Sequence, residues 1–394
     1  MSKEIPPASI PSGKSLRRRL LLWLGLPAAL AVVVLAYWMM PRSYDEPPLA
    51  YSGSTAELSS TVVVPTLNTP MPAGKNVIWC SSFQLAWNRL KDDVVKGPVI
   101  VDKAGSVCKR LNAAPHSDAD LPAGSFYAAS GFGKATAELI RTEMAQRCPS
   151  VKVLDLDDVA GRDILAYAYL AANVKFDTPY FENDERMLFK GKTPVASFGI
   201  RPKDDYAYYE LRRQIEILYA TDDWAGTPKE GTEFALDPCK TSDPCQIVLA
   251  RIKPGGTLQD SLDDLKRKRA AFAKREYADH YRKVGPNDAF LAPNINYEIA
   301  HHFTELEGTD KVLKNAGFEG YWVRTAMQTI RFKLDRSGAE LASQAKVHVA
   351  PVPRFFFFDG PFLIYVKKRK AEHPFFVMWV DNPELLCKPQ DAAP

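Results

Sequence analysis

The sequence predicts a mixed α+β fold, in which N-terminal helices lead into large, mostly antiparallel β-sheets that end in a C-terminal β-hairpin. Apolar residues recur at helical spacing from Trp79 to Val94, whereas the C-terminal part reads mainly as apolar, strand-like runs. Of the 394 residues, 46% are hydrophobic and 25% are charged, which excludes a wholly disordered or fibrous chain. No internal repeat is visible, so we predict one folded domain over residues 76–394.

The N-terminal residues predict a membrane anchor. The run Leu20–Met40 carries no charge, and a helix of that length spans about 30 Å, the thickness of a bilayer's hydrocarbon core. Arg17–Arg19 precede it, so residues 1–19 are expected to form a cytoplasmic tail, with the folded domain periplasmic or extracellular. A cleaved signal peptide is the alternative, but its apolar region is usually shorter and Ala36–Trp38 is a poor cleavage site. We therefore predict an uncleaved signal anchor at 20–40, inserted in the lipid bilayer.

Residues 41–75 are rich in proline, serine and threonine, a composition that predicts a disordered linker between the bilayer and the domain. The net charge of +4 lies entirely in residues 1–19, where five basic residues face one acidic residue (5 − 1 = +4). The remaining residues are balanced in charge and provide no global field that would attract a polyanion. Nucleic-acid binding is therefore not expected.

Three helices are predicted in the folded part. The first is an apolar stripe with spacings of three or four residues behind Asn76 as its N-cap: Trp79, Phe83, Trp87, Leu90 and Val94. Residues 134–148 form the second, and Thr257 caps the third, in which the basic run 266–269 is either a solvated face or a polyanion contact. The predicted strands follow in chain order: 151–156, 164–170, 195–200, 215–218, 246–250, 290–298, 326–334, 339–349, 362–366 and 375–380.

The six cysteines would lie in an oxidising compartment if the domain is exported. Cys239 and Cys245 are close enough in sequence to close a small loop around Pro244, either as a disulfide or as two free thiols, and the disulfide is our prediction. No paired CxxC spacing suggests a metal site. His301 and His302, with Glu305, could imitate a metal cluster, but solvated polar residues are the simpler interpretation.

Catalytic motifs are absent. The sequence contains neither an HExxH pair nor a GxSxG elbow. Residues 130–134 (SGFGK) resemble the end of a phosphate loop, but Ala135 follows the lysine where Ser or Thr is required. We therefore predict that the chain is not an enzyme and needs no cofactor.

The C-terminal segments resemble those of the serpin family. Residues 358–366 (FDGPFLIYV) are similar to that family's F-x-x-x-PF-hydrophobic strand, and 375–383 (FFVMWVDNP) to its closing strand, which ends in Asn-Pro. Upstream, 326–340 resembles the fifth strand of the main sheet running into the hinge, and Gly338 lies 23 positions before Pro361. Looser matches extend the resemblance back to Val77. The chain looks like a divergent, bacterial-type serpin with an N-terminal anchor.

The resemblance implies a hinge and a reactive loop. The hinge would comprise Gly338, Ala339, Glu340, Leu341, Ala342 and Ser343. The loop would include Pro351, Val352, Pro353, Arg354 and Phe355, where Arg354–Phe355 is the only trypsin-like bond. A serpin traps a serine or cysteine protease by inserting its cleaved loop as a new strand in the main sheet.

Some positions depart from the family pattern. Leu341 is bulky where alanine is expected, and misfit in a packed core costs about 1–3 kcal/mol. Ala168 stands in place of a buried asparagine, Phe176 in place of a tryptophan and Met378 in place of a glycine. Two hypotheses follow: a non-inhibitory binding or structural module, which we favour, and a functional inhibitor of an extracytoplasmic protease.

Overall fold

A computed structural model describes residues 47–147, 158–173, 175–183, 185–202, 206–221, 226–276, 278–337 and 353–389. These residues all belong to one compact unit that begins at Pro47. No helix within these ranges is long and apolar enough to cross a membrane. The predicted tail and anchor, residues 1–40, lie outside the described residues.

The described residues contain more helices and strands than the three helices and ten strands that the sequence predicts. The helices are α1 (Ser81–Arg89), α2 (Gly105–Ala113), α3 (Gly133–Arg147), α4 (Tyr206–Gln214), α5 (Leu258–Ala273) and α6 (Ala278–Tyr281). The first strands are β1 (Tyr51–Ser54), β2 (Thr61–Val63), β3 (Asn76–Cys80), β4 (Phe126–Phe132), β5 (Asp163–Asn173), β6 (Phe181–Glu182), β7 (Met187–Phe189), β8 (Thr193–Val195) and β9 (Ser197–Ile200). The others are β10 (Glu216–Ala220), β11 (Phe234–Asp237), β12 (Cys245–Arg251), β13 (Ala289–Pro293), β14 (Ile295–His302), β15 (Trp322–Leu334), β16 (Phe355–Phe357), β17 (Phe362–Lys368) and β18 (Phe376–Val380).

Two large sheets form the body of the unit. A five-stranded sheet has the order β1-β14-β15-β5-β4, and a seven-stranded sheet has the order β10-β11-β12-β17-β18-β3-β2. Most neighbouring strands are antiparallel, and β17 and β18 form the C-terminal hairpin. The predicted α+β class, with mostly antiparallel sheets and this hairpin, is confirmed.

The main core lies between the two large sheets. It joins alternate residues of β5 and β15 to alternate residues of β17 and β18, and Phe332 stacks on Phe376 with 4.3 Å between ring centroids. Helix α1 is buried within this core over Ser81–Trp87. A second apolar cluster packs α5 on the far face of the seven-stranded sheet, and a third packs α3 on the far face of the five-stranded sheet. Burial on both faces explains why β5, β17 and β18 contain continuous apolar runs.

A four-stranded sheet, with the order β16-β13-β9-β6, receives the chain after the predicted loop. The predicted strand 290–298 is in fact two strands. It breaks at Asn294, where β13 ends in this small sheet and β14 begins in the five-stranded sheet. The backbone N–H of Asn294 donates to the carbonyl of Ala196, 2.8 Å away, so the junction is fixed by a contact that is distant in sequence.

The predicted disordered linker, 41–75, is wrong for residues 47–75, which are folded onto the unit. Strand β1 pairs in parallel with β14, and β2 pairs in parallel with β3. The carboxylate of Glu384 accepts hydrogen bonds from the backbone N–H groups of Ser59 and Ser60 at 2.9 and 3.1 Å. The polar residues of this segment therefore find partners in the domain, which composition alone could not reveal.

The predicted helix cap at Asn76 is also wrong. Asn76 begins β3, and its side chain is buried against the C-terminal strand, where it accepts hydrogen bonds from the backbone N–H groups of Asp381 and Asn382 at 2.8 and 3.0 Å. The helix begins only at Ser81. The predicted cap at Thr257 is confirmed, because its hydroxyl accepts from the backbone N–H of Asp260 in a complete capping box.

Candidate functional site

The candidate site lies where β15 leaves the five-stranded sheet. Beyond β15, the backbone N–H of Phe176 donates to the carbonyl of Ser337 (3.0 Å), and that of Tyr180 donates to the carbonyl of Arg336 (3.0 Å). The chain is therefore held against the segment that follows β5 as far as Ser337. The predicted hinge, 338–343, and the loop residues 351 and 352 lie outside the described residues.

The next described residue is Pro353, just before strand β16 of the small sheet. The carbonyl of Pro353 accepts from the backbone N–H of Gly226 (2.8 Å), and the N–H of Phe355 donates to the carbonyl of Gly226 (2.9 Å). The carbonyl of Arg354 accepts from the N–H of Ala289 (3.0 Å), and β16 then continues in parallel with β13. The backbone on both sides of the Arg354–Phe355 bond is thus already paired.

The side chain of Arg354 is also occupied. Its Nη2 and Nε atoms donate to the carboxylate of Asp288 at 2.7 and 3.2 Å, and its backbone N–H donates to the other carboxylate oxygen at 2.8 Å. Only 24% of the Arg354 side chain and 5% of the Asp288 side chain are exposed. The guanidinium also lies 5.3 Å from the ring centroid of Phe356. Such a shared, buried carboxylate fixes the arginine firmly.

The assignment of Pro353, Arg354 and Phe355 to an exposed reactive loop is therefore wrong for the folded chain, because their backbone is paired with neighbouring segments. A protease needs an extended segment whose backbone and side chain are free to enter its active site. Arg354 would have to give up both its strand contacts and its carboxylate partner. Any bond presented to a protease in this region must lie before Pro353.

The centre of the five-stranded sheet is closed. Strands β5 and β15 run in parallel and pair directly over 11 residue pairs, from Trp322 with Asp163 to Lys333 with Asn173. On the α3 side, the hydroxyls of Tyr167 and Thr329 are buried and lie 2.9 Å apart across the two strands. This hydrogen bond, which we call the β5–β15 tie, joins the strands between which an inserted loop would have to enter.

On the opposite face, Gln328 supplies the buried amide that the resemblance suggests at position 168. Ala168 and Gln328 are direct partners in the β5–β15 pair, and both are fully buried. The Gln328 Nε2 atom donates to the Ser82 hydroxyl of α1 at 2.7 Å. The two strands are therefore tied to each other on one face, and β15 is tied to α1 on the other.

The other two residues that depart from the family pattern, Phe176 and Met378, are buried in the core. Phe176 contacts the ring of Tyr180 edge-on, with 4.8 Å between centroids, beside the last described residues before the hinge. Met378 is fully buried in β18, and its sulfur accepts from the hydroxyl of Tyr297 at 3.6 Å. Both positions therefore hold bulky side chains that are buried in the core.

The predicted Cys239–Cys245 disulfide is wrong, because both cysteines are free thiols in the structure. The loop between them is closed by other contacts. The Ser242 hydroxyl donates to the carbonyls of Cys239 and Cys245 at 2.9 and 2.7 Å, and Arg369 donates to Asp237 at 3.0 Å at the base of the loop. Burial raises the pKa of the Cys245 thiol to about 11. This loop therefore does not need a covalent link to keep its shape.

The histidines pair with different partners. His302 Nδ1 lies 2.9 Å from the Glu307 carboxylate, which raises its pKa, whereas burial lowers the pKa of His301 to about 4. Thr55 of the N-terminal segment lies 2.7 Å from His301 Nδ1. Within the described ranges, no group of three or more His, Cys, Asp or Glu side chains is placed to hold a metal ion.

Sequence reasoning missed Asp288 and Gly226, the two residues that hold Arg354. The turn Gly285-Pro286-Asn287-Asp288 leaves a local signal, because the Asp288 carboxylate accepts from the backbone N–H of Gly285 at 2.7 Å. Its second partner, Arg354, is far along the chain and leaves no pattern that could be found from spacing. Gly226 contributes only backbone atoms to this contact.

Solved serpin structures resemble this chain. Uncleaved ovalbumin matches with a TM-score of 0.46 and 11% identity, over 79% of this chain and 94% of that one. The mouse protein Z-dependent protease inhibitor gives a TM-score of 0.45 and 14% identity, over 78% and 91%. Serpin48 of the insect Tenebrio molitor gives 0.43 and 12%, over 77% and 91%.

No protein-family model matches the sequence, and the comparison with curated proteins gives no match either. The similarity to these solved structures is one of fold alone.

Proposed function

We propose that this chain is a serpin-like binding module of the extracytoplasmic space, of bacterial type, which does not trap proteases and catalyses no reaction. Its anchor would be residues 20–40, and its domain would lie in the periplasm or outside the cell. The uncharged run behind Arg17–Arg19 supports the anchor and its orientation. The non-inhibitory role is supported chiefly by one observation, the β5–β15 tie.

Trapping would require β5 and β15 to separate while the acyl bond to the protease survives. Separation breaks their direct backbone pairing, which an inserted strand would restore, but it also breaks the bond between Tyr167 and Thr329, which an inserted strand does not restore. A buried hydroxyl that loses its partner costs about 1–3 kcal/mol. Leu341 adds an expected misfit of similar size. Together these costs slow insertion and favour hydrolysis of the acyl bond.

Protease trapping is the second candidate function. The pairing of β5 and β15 favours it, because two parallel neighbours can accept an antiparallel strand between them with a complete ladder on both sides. Residues 338–352 connect β15 to the small sheet and are long enough to form such a strand. The partner would be an extracytoplasmic serine or cysteine protease.

The two functions differ in one measurement. The full-length chain is incubated with trypsin-like, elastase-like and papain-like proteases, and the products are separated in SDS. We expect cleavage within residues 338–352, no SDS-stable complex and no rise in melting temperature after cleavage. A covalent complex with the unmodified chain would refute the proposal.

The variant Leu341→Ala separates the two causes of slow insertion. If the β5–β15 tie dominates, L341A forms no complex either, whereas Y167F/T329V, which removes both hydroxyls of the tie, forms some complex. A complex in L341A alone would assign the loss of trapping to loop misfit.

A further inference from the structure

A cavity of about 580 Å³ lies on the far face of the seven-stranded sheet. Helix α5 forms one wall, and the turn between β17 and β18 forms the other, with the loop after α2 closing one end. We call it the α5 cavity. Its volume falls within the range of small-molecule sites, about 300–1,000 Å³.

The floor of the α5 cavity is apolar. Leu218 of β10, Leu265 and Phe272 of α5 and Tyr365 of β17 are all buried there. Leu265 and Phe272 lie seven positions apart on α5 and so face the same side of the helix. An apolar ligand body would find a buried, mainly apolar surface here.

The walls of the cavity are mainly cationic. Lys266 and Arg269 project from α5, and Lys367 lies opposite them on β17. Arg282, a fourth cation, is already paired with Glu216. Two carboxylates, Asp263 and Glu372, also line the cavity, and both are exposed, as is Lys266.

Lys266, Arg269 and Lys367 each have unused hydrogen-bond donors. Arg269 donates to the hydroxyl of Tyr365, and Lys367 Nζ donates to the carbonyl of Ala371 at 2.8 Å. An arginine has five N–H donors and a lysine three, so neither is saturated. Among the described residues, none forms a hydrogen bond or an ion pair with the side chain of Lys266.

The basic run of α5 therefore divides into two sets. Arg267 and Lys268, on the other side of the helix, are paired with Asp264 at 3.0 and 2.7 Å, and Lys268 also reaches Glu233 at 2.6 Å. Lys266 and Arg269 instead line the cavity. The outward set is neutralised within the protein, and the inward set is not.

The cations near Lys367 repel one another. Burial lowers the pKa of Lys367, the neighbouring charges of Arg269, Arg369 and Lys266 lower it further, and Glu372 raises it. A negative charge in the cavity would relieve this repulsion and raise the same pKa.

A buried imidazole also lines the cavity. His116 lies in the cavity wall, is 6% exposed and packs against the rings of Trp79 and His373, with centroids 4.7 and 5.2 Å away. Its Nδ1 atom is buried and has no hydrogen-bond partner among the described residues. Burial lowers the pKa of His116 to about 4, so the ring is neutral near pH 7. A buried polar atom without a partner is unusual.

We propose that the α5 cavity binds a small organic anion with an apolar body. Its carboxylate or sulfonate group would lie between Lys266, Arg269 and Lys367, and its body would lie on the apolar floor. Binding would use the cationic wall and the apolar floor together, because a bare phosphate would contact only the cations and a neutral hydrocarbon only the floor. This binding goes beyond the proposed function, since it is independent of whether the chain traps proteases.

Lysine footprinting on the full-length chain tests the proposal. The probe is 8-anilino-1-naphthalenesulfonate, an aromatic sulfonate, and the readout is the reductive methylation of each lysine, followed by peptide mass spectrometry. We expect the probe to protect Lys266 and Lys367 while Lys253 and Lys274, outside the cavity, methylate at an unchanged rate. The neutral isostere N-phenyl-1-naphthylamine and sodium sulfate, each alone, are expected to give little protection.

Two variants locate the anion. Arg269→Gln removes one charge-assisted contact, so we expect the probe concentration for half protection of Lys367 to rise about tenfold. Arg267→Gln removes the same charge from the outward side of α5 and is expected to change nothing. Equal protection of all four lysines, or equal protection by the neutral isostere, would overturn the proposal.

The wild-type footprint decides the location even if a variant fails to fold. Protection that R269Q leaves unchanged would overturn the assignment of the anion to the cationic wall. The protease experiment has a different readout, so failure here would leave the proposed function standing, and the reverse also holds.

Discussion

Releasing Arg354 from Asp288 is expected to open the Arg354–Phe355 bond to trypsin. Asp288→Asn keeps the volume of the side chain but removes the charge that three hydrogen bonds from Arg354 share. Since hydrogen bonds to charged groups contribute about 1.5–3 kcal/mol, we expect local opening to become easier by about 2 kcal/mol. That change corresponds to an increase of about 30-fold in the open population.

Trypsin cleavage of the native chain reports this population, because proteolysis follows the opening equilibrium when reclosing is faster than cleavage. The full-length chain is treated with a low trypsin concentration, and cleavage after Arg354 is followed by intact mass. The matched control is Asp381→Asn, which removes a partly buried carboxylate paired with Lys190 elsewhere on the domain. Urea unfolding confirms that both variants remain folded.

We expect wild-type chain and D381N to resist cleavage after Arg354, and D288N to be cleaved there about 30 times faster. Rapid cleavage of the wild type at this bond, or no acceleration in D288N, would contradict the argument that the carboxylate holds the arginine in place.

Three further predictions follow from the same structure. In a urea-unfolding double-mutant cycle, Tyr167→Phe and Thr329→Val each lower the free energy of unfolding, and the pair shows a coupling of about 1 kcal/mol; additive effects would refute the tie. His116 and His301 have folded pKa values of about 4, below the unfolded value of about 6.5, so their contribution to stability is complete above pH 6.5 and is lost as pH falls towards 4. Unfolding measured from pH 7 to 4 is therefore expected to show falling stability, with a shallower slope in His301→Gln; an unchanged slope would be inconsistent with this account. Reduction with dithiothreitol is expected to leave the melting temperature unchanged, because Cys239 is a free thiol, and a clear fall would indicate a bridge.

The sequence allowed the strands of the large sheets to be predicted because their apolar runs are long and continuous. Strands β5, β17 and β18 are buried on both faces over most of their length, so each residue type there is constrained and the apolar run is easily recognised. The cap of α5 was predictable for a different reason. Thr257 and Asp260 bond to each other's backbone within one turn, which is a purely local pattern.

The same reasoning failed where a helical spacing arose from two elements. Trp79 belongs to β3 and packs in the cluster beneath α5, whereas Phe83 belongs to α1 and packs in the main core. Their spacing of four therefore does not represent one face of one helix. The Asn76 side chain takes its partners from the C-terminal strand, a contact that no local pattern could predict.

The candidate site was predictable only in outline. The resemblance predicts a reactive loop after β15, and residues 338–352 of that prediction lie outside the described residues. It could not show that Arg354 is bound, because Asp288 and Gly226 approach it from other parts of the chain. The tie between Tyr167 and Thr329 likewise depends on strand register, which follows from the tertiary structure.

The pairing of β1 with β14 has a mechanical consequence. Traction along β1, applied ahead of Tyr51, loads its parallel hydrogen bonds with β14 together, in shear, rather than one after another. Strand β2, the next to bear the load, is likewise in parallel with β3. A force applied from the N-terminal side would therefore have to break the β1–β14 pair and then the β2–β3 pair. These two pairs would protect the central strands from that force.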